Sequence, residues 1–342
     1  MDSLSQIVLG AAVGEVMLGK RIGNKAQLLG AVAGTIPDLD VFMTVLSTDP
    51  FASLILHRGY SHSMFFHILL ALPFAWMTYR GFKRNISFGK WYAFWYLGFF
   101  THTILDCFTT FGTQLLLPFT NHQVGFNNIA VVDPFWTLPF MIFLLICLFI
   151  RREKPARLKM AWAGVSWAVL YMGFTFVNKY NVHQHFSEEL TRQGIVYENL
   201  STSPSIFNNF LWSGIAHSGD TLYVGEYSWL QERPTIKWHA YACNPGAFER
   251  WGDRRAVETL LWFGQGMSIA EEVGDELHVT TLKWGRGDFT KTDTKDTFPF
   301  YWRLYQENGE YKAEEVQPDW GKEEFNEVFN KLIRRTWTAD DY

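Results

Sequence analysis

Four short segments of the chain carry histidines and aspartates, the residue types that commonly bind metal ions in proteins. In chain order, these residues are Asp38 and Asp40 in IPDLD, His57 and His62 in HRGYSHS, His102 and Asp106 in THTILD, and Asp133 in VVDPF. Imidazole and carboxylate groups together suit zinc or another borderline divalent cation. We interpret the first six as candidate metal ligands, and Asp40 or Asp133 as the base that takes a proton from a metal-activated water.

The spacing of His102 and Asp106 is the most informative of these patterns. Residues four apart on a helix lie on the same face, one turn from each other. Ionisable side chains are costly in an apolar membrane helix, and a functional role is the default explanation for them. A buried hydrogen bond that serves only the structure is the alternative interpretation of this pair.

The HRGYSHS segment can bring two imidazoles together. Gly59 lets the backbone turn between His57 and His62, and the hydroxyl of Ser61 can orient an imidazole ring. Arg58 is a cation suited to an anionic group of a substrate. The alternatives are a solvated loop with incidental histidines, and an arginine that pairs with a neighbouring acid.

The remaining aspartates have structural alternatives as well. Asp38 and Asp40 follow Pro37 at the end of a predicted helix, where turn geometry by itself favours aspartate. Asp133 precedes a proline and can simply cap the next helix. The sequence therefore leaves the role of each of these carboxylates open.

Apolar segments in the first half of the chain must position these residues. Four runs are long enough to be candidate membrane spans, namely 63–80, 90–108, 134–150 and 159–177. The helices predicted at 3–19 and 26–36 are too short, or too polar at their ends, to be assigned as spans. Basic residues cluster in the loops around 20–25, 80–90 and 151–159, and the positive-inside rule makes those loops cytoplasmic. The histidine and aspartate segments then fall at the opposite, outward face of the inner membrane.

The second half of the chain has a different pattern. After Val177 it contains alternating segments rich in Tyr, Trp and Val, which predict strands. The Asn308-Gly309 pair predicts a hairpin turn, and 254–263 and 322–335 predict helices. We expect a mainly α fold class: a multi-helix integral membrane bundle over residues 1–180, followed by a soluble α+β domain over residues 181–342 on the outer face.

Composition and missing motifs exclude several classes of function. The net charge is −4 and no strongly basic face is evident, so nucleic acid is not an expected partner. The three cysteines form no Cys-x-x-Cys pair, which argues against a cysteine zinc site. The sequence contains no HExxH, GxSxG or P-loop motif, which disfavours zincin-type proteolysis, acyl-serine chemistry and nucleotide chemistry.

Residues 1–180 resemble a known family through the motifs PDLD, HRGYSHS, THTILDCFTTFGTQLLLPF and VDPFW, in that order. The family is that of the bacterial membrane-bound metal-dependent hydrolases, which is grouped with zinc-dependent phospholipase C and the S1/P1 nucleases. The resemblance implies that His102 and Asp106 form the His-x-x-x-Asp pair of a multi-zinc site, with further ligands from PDLD and HRGYSHS. Gln6 stands where many members have a histidine, and glutamine is a poor metal ligand.

The sequence therefore predicts a membrane-bound hydrolase that holds one to three divalent ions, most simply zinc. Its expected partners are membrane lipid and a lipid-type phosphoester substrate, and its oligomeric state is not determined. The alternative is a non-catalytic metal-binding membrane protein with an external partner-binding domain. A transporter would show inverted repeats, and none is evident. A purely structural polar cluster would retain less than one metal ion per chain.

Overall fold

The computed structural model describes residues 1–231, 235–287, 298–316 and 322–338. The chain divides into two compact units. The first unit comprises Met1–Thr48, Ala52–Phe176 and Ile206–Asn208. The second unit comprises Asp49–Phe51, Val177–Ser205 and Asn209–Tyr342.

The first unit is built from helices. They are α1 (Ser3–Ile22), α2 (Lys25–Thr35), α3 (Val41–Leu46), α4 (Ala52–Ile55), α5 (Met64–Gly81), α6 (Phe88–Cys107), α7 (Pro134–Phe149) and the first part of α8 (Pro155–Arg192). Two 3-10 turns accompany them: Ile36–Asp40 joins α2 to α3, and Tyr60–His62 precedes α5.

Helix α6 carries the buried stripe that positions the predicted His/Asp pair. Trp91, Trp95 and Phe99 are at most 3% exposed, and they pack with apolar residues of α1, α2 and α5. Because residues three or four apart share a helix face, the same stripe continues to His102 and Asp106. These two polar residues are therefore drawn into the interior by the aromatic packing that precedes them.

Helices α1 and α2 pack with their backbones in contact. A methyl group at Gly10 would lie 2.2 Å from the carbonyl oxygen of Gly30, and one at Gly14 would lie 2.0 Å from the carbonyl oxygen of Ala26. Small residues at four-residue spacing are the usual means by which membrane helices approach so closely. A larger side chain at these positions would force the two helices apart.

Two helical segments are long and apolar enough to cross a membrane, judged by length and composition: Lys25–Leu46 and Pro155–Arg192. The second contains the predicted run 159–177. The first contains the predicted helix 26–36, whose α-helical part ends at Thr35 as expected. The 3-10 turn and α3 extend it to a length that the sequence interpretation did not assign as a span.

The other predicted runs are helical but remain predictions as spans. Pro134–Phe149 is a shorter apolar helix. Within the described part of the chain, α5 and α6 are not among the candidate spans, since polar and charged side chains interrupt their apolar sequence. The multi-helix membrane bundle therefore stays a prediction.

The second unit contains two four-stranded antiparallel sheets, in each of which neighbouring strands follow chain order. The strands of the first sheet are β1 (Asn199–Pro204), β2 (Leu211–Ser218), β3 (Thr221–Ser228) and β4 (His239–Ala242). Those of the second are β5 (Ser268–Val273), β6 (Glu276–Thr281), β7 (Phe300–Glu307) and β8 (Glu310–Val316). The helices of this unit are the last part of α8, together with α9 (Pro245–Arg250), α10 (Arg254–Gly264) and α11 (Lys322–Trp337).

The local predictions for this unit are confirmed. Asn308 and Gly309 have φ values of 54° and 81°, and they close the hairpin in which Glu307 pairs with Glu310. Positive φ at both central residues gives the turn whose twist matches that of the strands. The predicted helices are α10 and α11, and a mostly helical first part followed by antiparallel sheets confirms the coarse fold class.

We predict that Gly30→Ala lowers the free energy of unfolding by about 1–3 kcal/mol, the usual cost of overpacking. The new methyl group would lie 2.1 Å from the carbonyl oxygen of Gly10. Gly173→Ala on α8 is the matched control, because a methyl group there meets nothing within 4 Å. Thermal unfolding in detergent should show a lower melting temperature for the first variant only; equal melting temperatures would contradict the close packing.

Candidate metal centre

Four of the predicted residues converge on one point of the first unit. Asp38, His62, His102 and Asp106 each offer one ligand atom, and these atoms all lie within 4.8 Å of one another. The side chains of His62, His102 and Asp106 are buried, whereas that of Asp38 is 22% exposed. Three members of the group are therefore buried and one is partly exposed.

Three separate segments of the chain bring the four side chains together. Asp38 lies in the 3-10 turn that follows α2, and His62 ends the short 3-10 turn before α5. His102 and Asp106 lie one turn apart on α6. Because sequence separations of up to 68 residues are involved, the site depends on the packing of the helices rather than on any one motif.

The separations between the ligand atoms fit a tetrahedral metal ion. Nε2 of His62 lies 3.0 Å from Nε2 of His102, 3.2 Å from Oδ2 of Asp106 and 3.4 Å from Oδ1 of Asp38. Nε2 of His102 lies 3.4 Å from Oδ1 of Asp38 and 3.8 Å from Oδ2 of Asp106. Ligands at 2.0–2.2 Å from a tetrahedral zinc are roughly 3.4 Å apart, so these spacings accommodate such an ion.

The hydrogen bonds of the two imidazoles direct their unprotonated nitrogens into the group. Nδ1 of His102 lies 2.7 Å from the carbonyl oxygen of Gly34, and since a carbonyl only accepts, Nδ1 carries the proton. Nδ1 of His62 lies 2.9 Å from the Ser61 hydroxyl and 3.3 Å from Oδ2 of Asp40. When each ring is neutral, its Nε2 can bind a metal, which is how outer hydrogen bonds orient metal-binding histidines.

The two carboxylate oxygens of Asp106 have different surroundings. Its Oδ1 accepts hydrogen bonds from the Met1 amino group and, at 2.9 Å, from Nε2 of Gln6. Its Oδ2 is buried and makes no hydrogen bond of good geometry, although Nε of Arg58 lies 3.1 Å away and Nε2 of His62 lies 3.2 Å away. Buried carboxylate oxygens normally have a well-formed hydrogen bond, and Oδ2 is placed where it could instead bind a metal ion at the centre of the group.

His57 and Asp40 lie beside the group rather than within it. Nδ1 of His57 is 2.8 Å from Oδ1 of Asp40, and the His57 ring centroid is 6.0 Å from that of His62. The second oxygen of Asp40 accepts hydrogen bonds from the backbone N–H of Arg58 and from the Ser61 hydroxyl. Asp40 therefore connects a partly exposed histidine to a candidate ligand, and the ligand roles predicted for both stay predictions.

Arg58 and Asp133 are both buried, and each is engaged by structural partners. The guanidinium of Arg58 is buried, donates to the Thr109 hydroxyl at 2.9 Å and faces Asp106, so the acid-paired alternative describes its geometry. Asp133 caps α7 by accepting from two backbone N–H groups, and it accepts a hydrogen bond from Tyr171. Burial raises the pKa of Asp133 to about 6. Their substrate-binding and catalytic roles remain untested predictions.

Sequence reasoning missed the contribution of Gly34. Its carbonyl orients His102, and no property of a glycine in sequence signals this. Gln6 is a polar residue on the buried face of α1, and the sequence offers it as an extra ligand or as a partner in a polar network. In the structure it donates to Asp106 and to the carbonyl oxygen of His102.

The helical unit and its buried His/Asp group define a helical protein with a candidate metal centre. A family model described as YdjM inner membrane protein matches residues 1–182, more than half of the chain. This chain belongs to the YdjM inner membrane protein family, and it is therefore membrane-associated.

Two further comparisons limit what can be transferred. The uncharacterized protein YfhP of Bacillus subtilis (strain 168) is 29% identical over 142 residues, which cover 40% of this chain and 42% of that protein. The chain thus spans less than half the length of this relative. No solved structure matches the chain.

The family match corrects the resemblance inferred from the motifs. The expected membership of a hydrolase family grouped with phospholipase C and the S1/P1 nucleases is wrong, because the matching model is that of the YdjM family. Short His and Asp motifs misled because the same residue types recur in unrelated metal sites.

We predict that His102→Ala and Asp106→Asn each reduce bound zinc from about one ion per chain to a small fraction of that, since each removes a member of the four-donor set. The matched control is His122→Gln, which removes an exposed histidine outside the group. Elemental analysis of protein purified in detergent with zinc measures the content. Unchanged zinc in the two site variants would rule out this centre.

We also predict that zinc binding weakens as pH falls. Burial disfavours the charged imidazole, but hydrogen bonds to Asp106, Asp38 and Asp40 outweigh it and raise the pKa of His62 to about 10. Zinc must displace that proton, so the dissociation constant should rise about tenfold for each pH unit lowered between pH 8 and pH 6. Competition with a chelator at several pH values measures it; a constant affinity would contradict the assignment of His62.

Proposed function

We propose that this protein is a membrane-bound metal-dependent hydrolase whose metal ion, most simply zinc, is held by Asp38, His62, His102 and Asp106. The observation that carries the proposal is the convergence of four donor atoms, all within 4.8 Å of one another, at separations that a tetrahedral ion could span. Two imidazoles and two carboxylates are a donor set that zinc accepts readily. Among the described residues one group of this kind is found, which supports one ion rather than three.

A zinc ion bound there would lower the pKa of a coordinated water and polarise the scissile group. The protein groups must then accept and return a proton. His57 is suited to this task because its imidazole is 28% exposed and its Nδ1 is held by Asp40 at 2.8 Å. A carboxylate behind a histidine fixes the ring and stabilises its protonated form, so Nε2 of His57 takes the proton and Asp40 acts as its positioning residue.

The roles of Asp40 and His57 thus differ from those first predicted. A carboxylate that already accepts from His57, Ser61 and the backbone of Arg58 has little capacity left for a water proton. The partly exposed imidazole of His57 uses Nδ1 to contact Asp40, which leaves its Nε2 to accept the proton. Proton transfer by a positioned group of this kind contributes about 100- to 10,000-fold to rate.

A lipid-type phosphoester is the proposed substrate. Family membership supports a membrane location, and the partly exposed Asp38 provides the side from which a substrate reaches the group. The proposed orientation places this side and the C-terminal unit on the outer face of the inner membrane, with several helices crossing the bilayer. It follows from the basic loops at 20–25, 80–90 and 151–159.

One observation favours the alternative of a non-catalytic metal site. Four protein donors complete a tetrahedron, whereas catalytic zinc sites keep a position for water. The behaviour of Asp38 distinguishes a catalytic site from a non-catalytic one. If water can replace Asp38, or if the ion takes water as a fifth ligand, the site remains catalytic. A closed site with no exchangeable water would favour the non-catalytic protein.

We predict that His57→Gln lowers phosphodiesterase activity about 100- to 10,000-fold and leaves the zinc content unchanged, because His57 lies outside the donor set. The assay is headgroup release from phospholipid vesicles by purified, zinc-loaded protein. His122→Gln should retain full activity, and His102→Ala/Asp106→Ala should have none. Equal release by the double variant and the wild type would refute the hydrolase; full activity of His57→Gln would refute only the role of His57.

A further inference from the structure

A cavity of about 680 Å³, lined by charged and apolar side chains, lies in the first unit. It is formed where the end of α1, the start of α6 and the segment from Arg152 into α8 meet. The three basic loops of the sequence each contribute residues to this cavity. Seven cationic and two acidic side chains line it, so its lining has a net charge of +5.

The two acids are already neutralised by arginines. Both oxygens of Glu15 accept from the buried guanidinium of Arg157, each at 2.6 Å. Nε of Arg152 donates to Glu153 at 2.9 Å, and Nη1 of Arg152 donates to the Arg21 carbonyl at 3.1 Å. Each acid is therefore paired with an arginine, and the charge of the other five cations is not offset by these pairs.

Five cations remain to act on a ligand. They are Lys20, Arg21, Lys90, Lys154 and Lys159. Over the described ranges of the chain, no ion pair joins any of these side chains to a carboxylate. Like charges gathered around one cavity repel one another, and an anion between them removes this repulsion.

The rest of the lining is apolar. Met17, Leu158 and Trp162 contribute to the wall, and the Trp162 side chain is 51% exposed. Tryptophan beside lysine and arginine at a helix end is typical of the level at which lipid headgroups lie. The cavity volume is in the range of sites for small organic ligands.

We infer that this cavity binds the phosphate headgroup of an anionic phospholipid. Basic pockets between membrane helices on the cytoplasmic side are suited to anionic lipid headgroups, and the adjoining apolar wall suits the glycerol and the start of an acyl chain. A free phosphate would use the cations but gain nothing from the apolar wall. The cavity is separate from the four-residue metal group, so this inference does not depend on the proposed hydrolase.

The test compares two triple variants with equal loss of charge. Lys20→Gln/Lys90→Gln/Lys159→Gln removes three cations from the cavity. Arg80→Gln/Lys83→Gln/Arg84→Gln removes three cations at the end of α5 and just after it, none of which lines the cavity. Dioctanoyl phosphatidylglycerol binding to full-length protein in neutral detergent is measured by native mass spectrometry. The cavity variant should bind on the order of 100-fold more weakly than wild type, and the loop variant should bind like wild type.

Size-exclusion elution and melting temperature establish that each variant is folded; if the cavity triple is not, single Lys90→Gln and Lys159→Gln variants replace it. Dioctanoyl phosphatidylcholine should bind weakly, and glycerol phosphate at equal concentration should not displace phosphatidylglycerol. Equal binding of the two lipids, equal binding by the cavity and loop variants, or displacement by glycerol phosphate would overturn the lipid assignment.

Discussion

The helical unit depends on how it accommodates two imidazoles and two carboxylates whose ligand atoms all lie within 4.8 Å of one another in a largely buried site. Burial of charge without compensation is costly. The Arg58 guanidinium beside Asp106 and a proton on His62 compensate part of the negative charge. A divalent cation bound among the four side chains would displace that proton, so proton and metal would compete for the same place.

The close packing of α1 against α2 makes this arrangement possible. Backbone contact at Gly10 and Gly30 brings Gln6 and the carbonyl of Gly34 next to α6, where they bind Asp106 and His102. The buried aromatic residues of α6 then hold His102 and Asp106 in the interior of the unit. A helix pair with larger residues at its interface would leave the imidazole of His102 without its acceptor.

Part of this site could be predicted from sequence and part could not. The four-residue spacing of His102 and Asp106 predicts that they share one face of a helix, and this prediction needs no knowledge of the rest of the fold. In the irregular segments no such period exists, so His57 and His62 looked equivalent, and only the 3-10 turn before α5 directs His62 inward. Asp38 and Asp40 were equally ambiguous, because the turn after α2 sends one toward the two histidines and the other toward His57. The orienting role of a glycine carbonyl has no signal in the sequence at all.

X-ray absorption spectroscopy of the zinc-loaded protein tests the central claim most directly, because it reports the atoms bound to the metal. The account predicts one zinc per chain, with a shell of two imidazole nitrogens and oxygen ligands at about 2.0–2.2 Å. In Asp106→Asn the same spectrum should be lost. A shell of oxygen atoms without imidazole scattering, or one containing sulfur, would contradict the assignment of Asp38, His62, His102 and Asp106 as the metal centre.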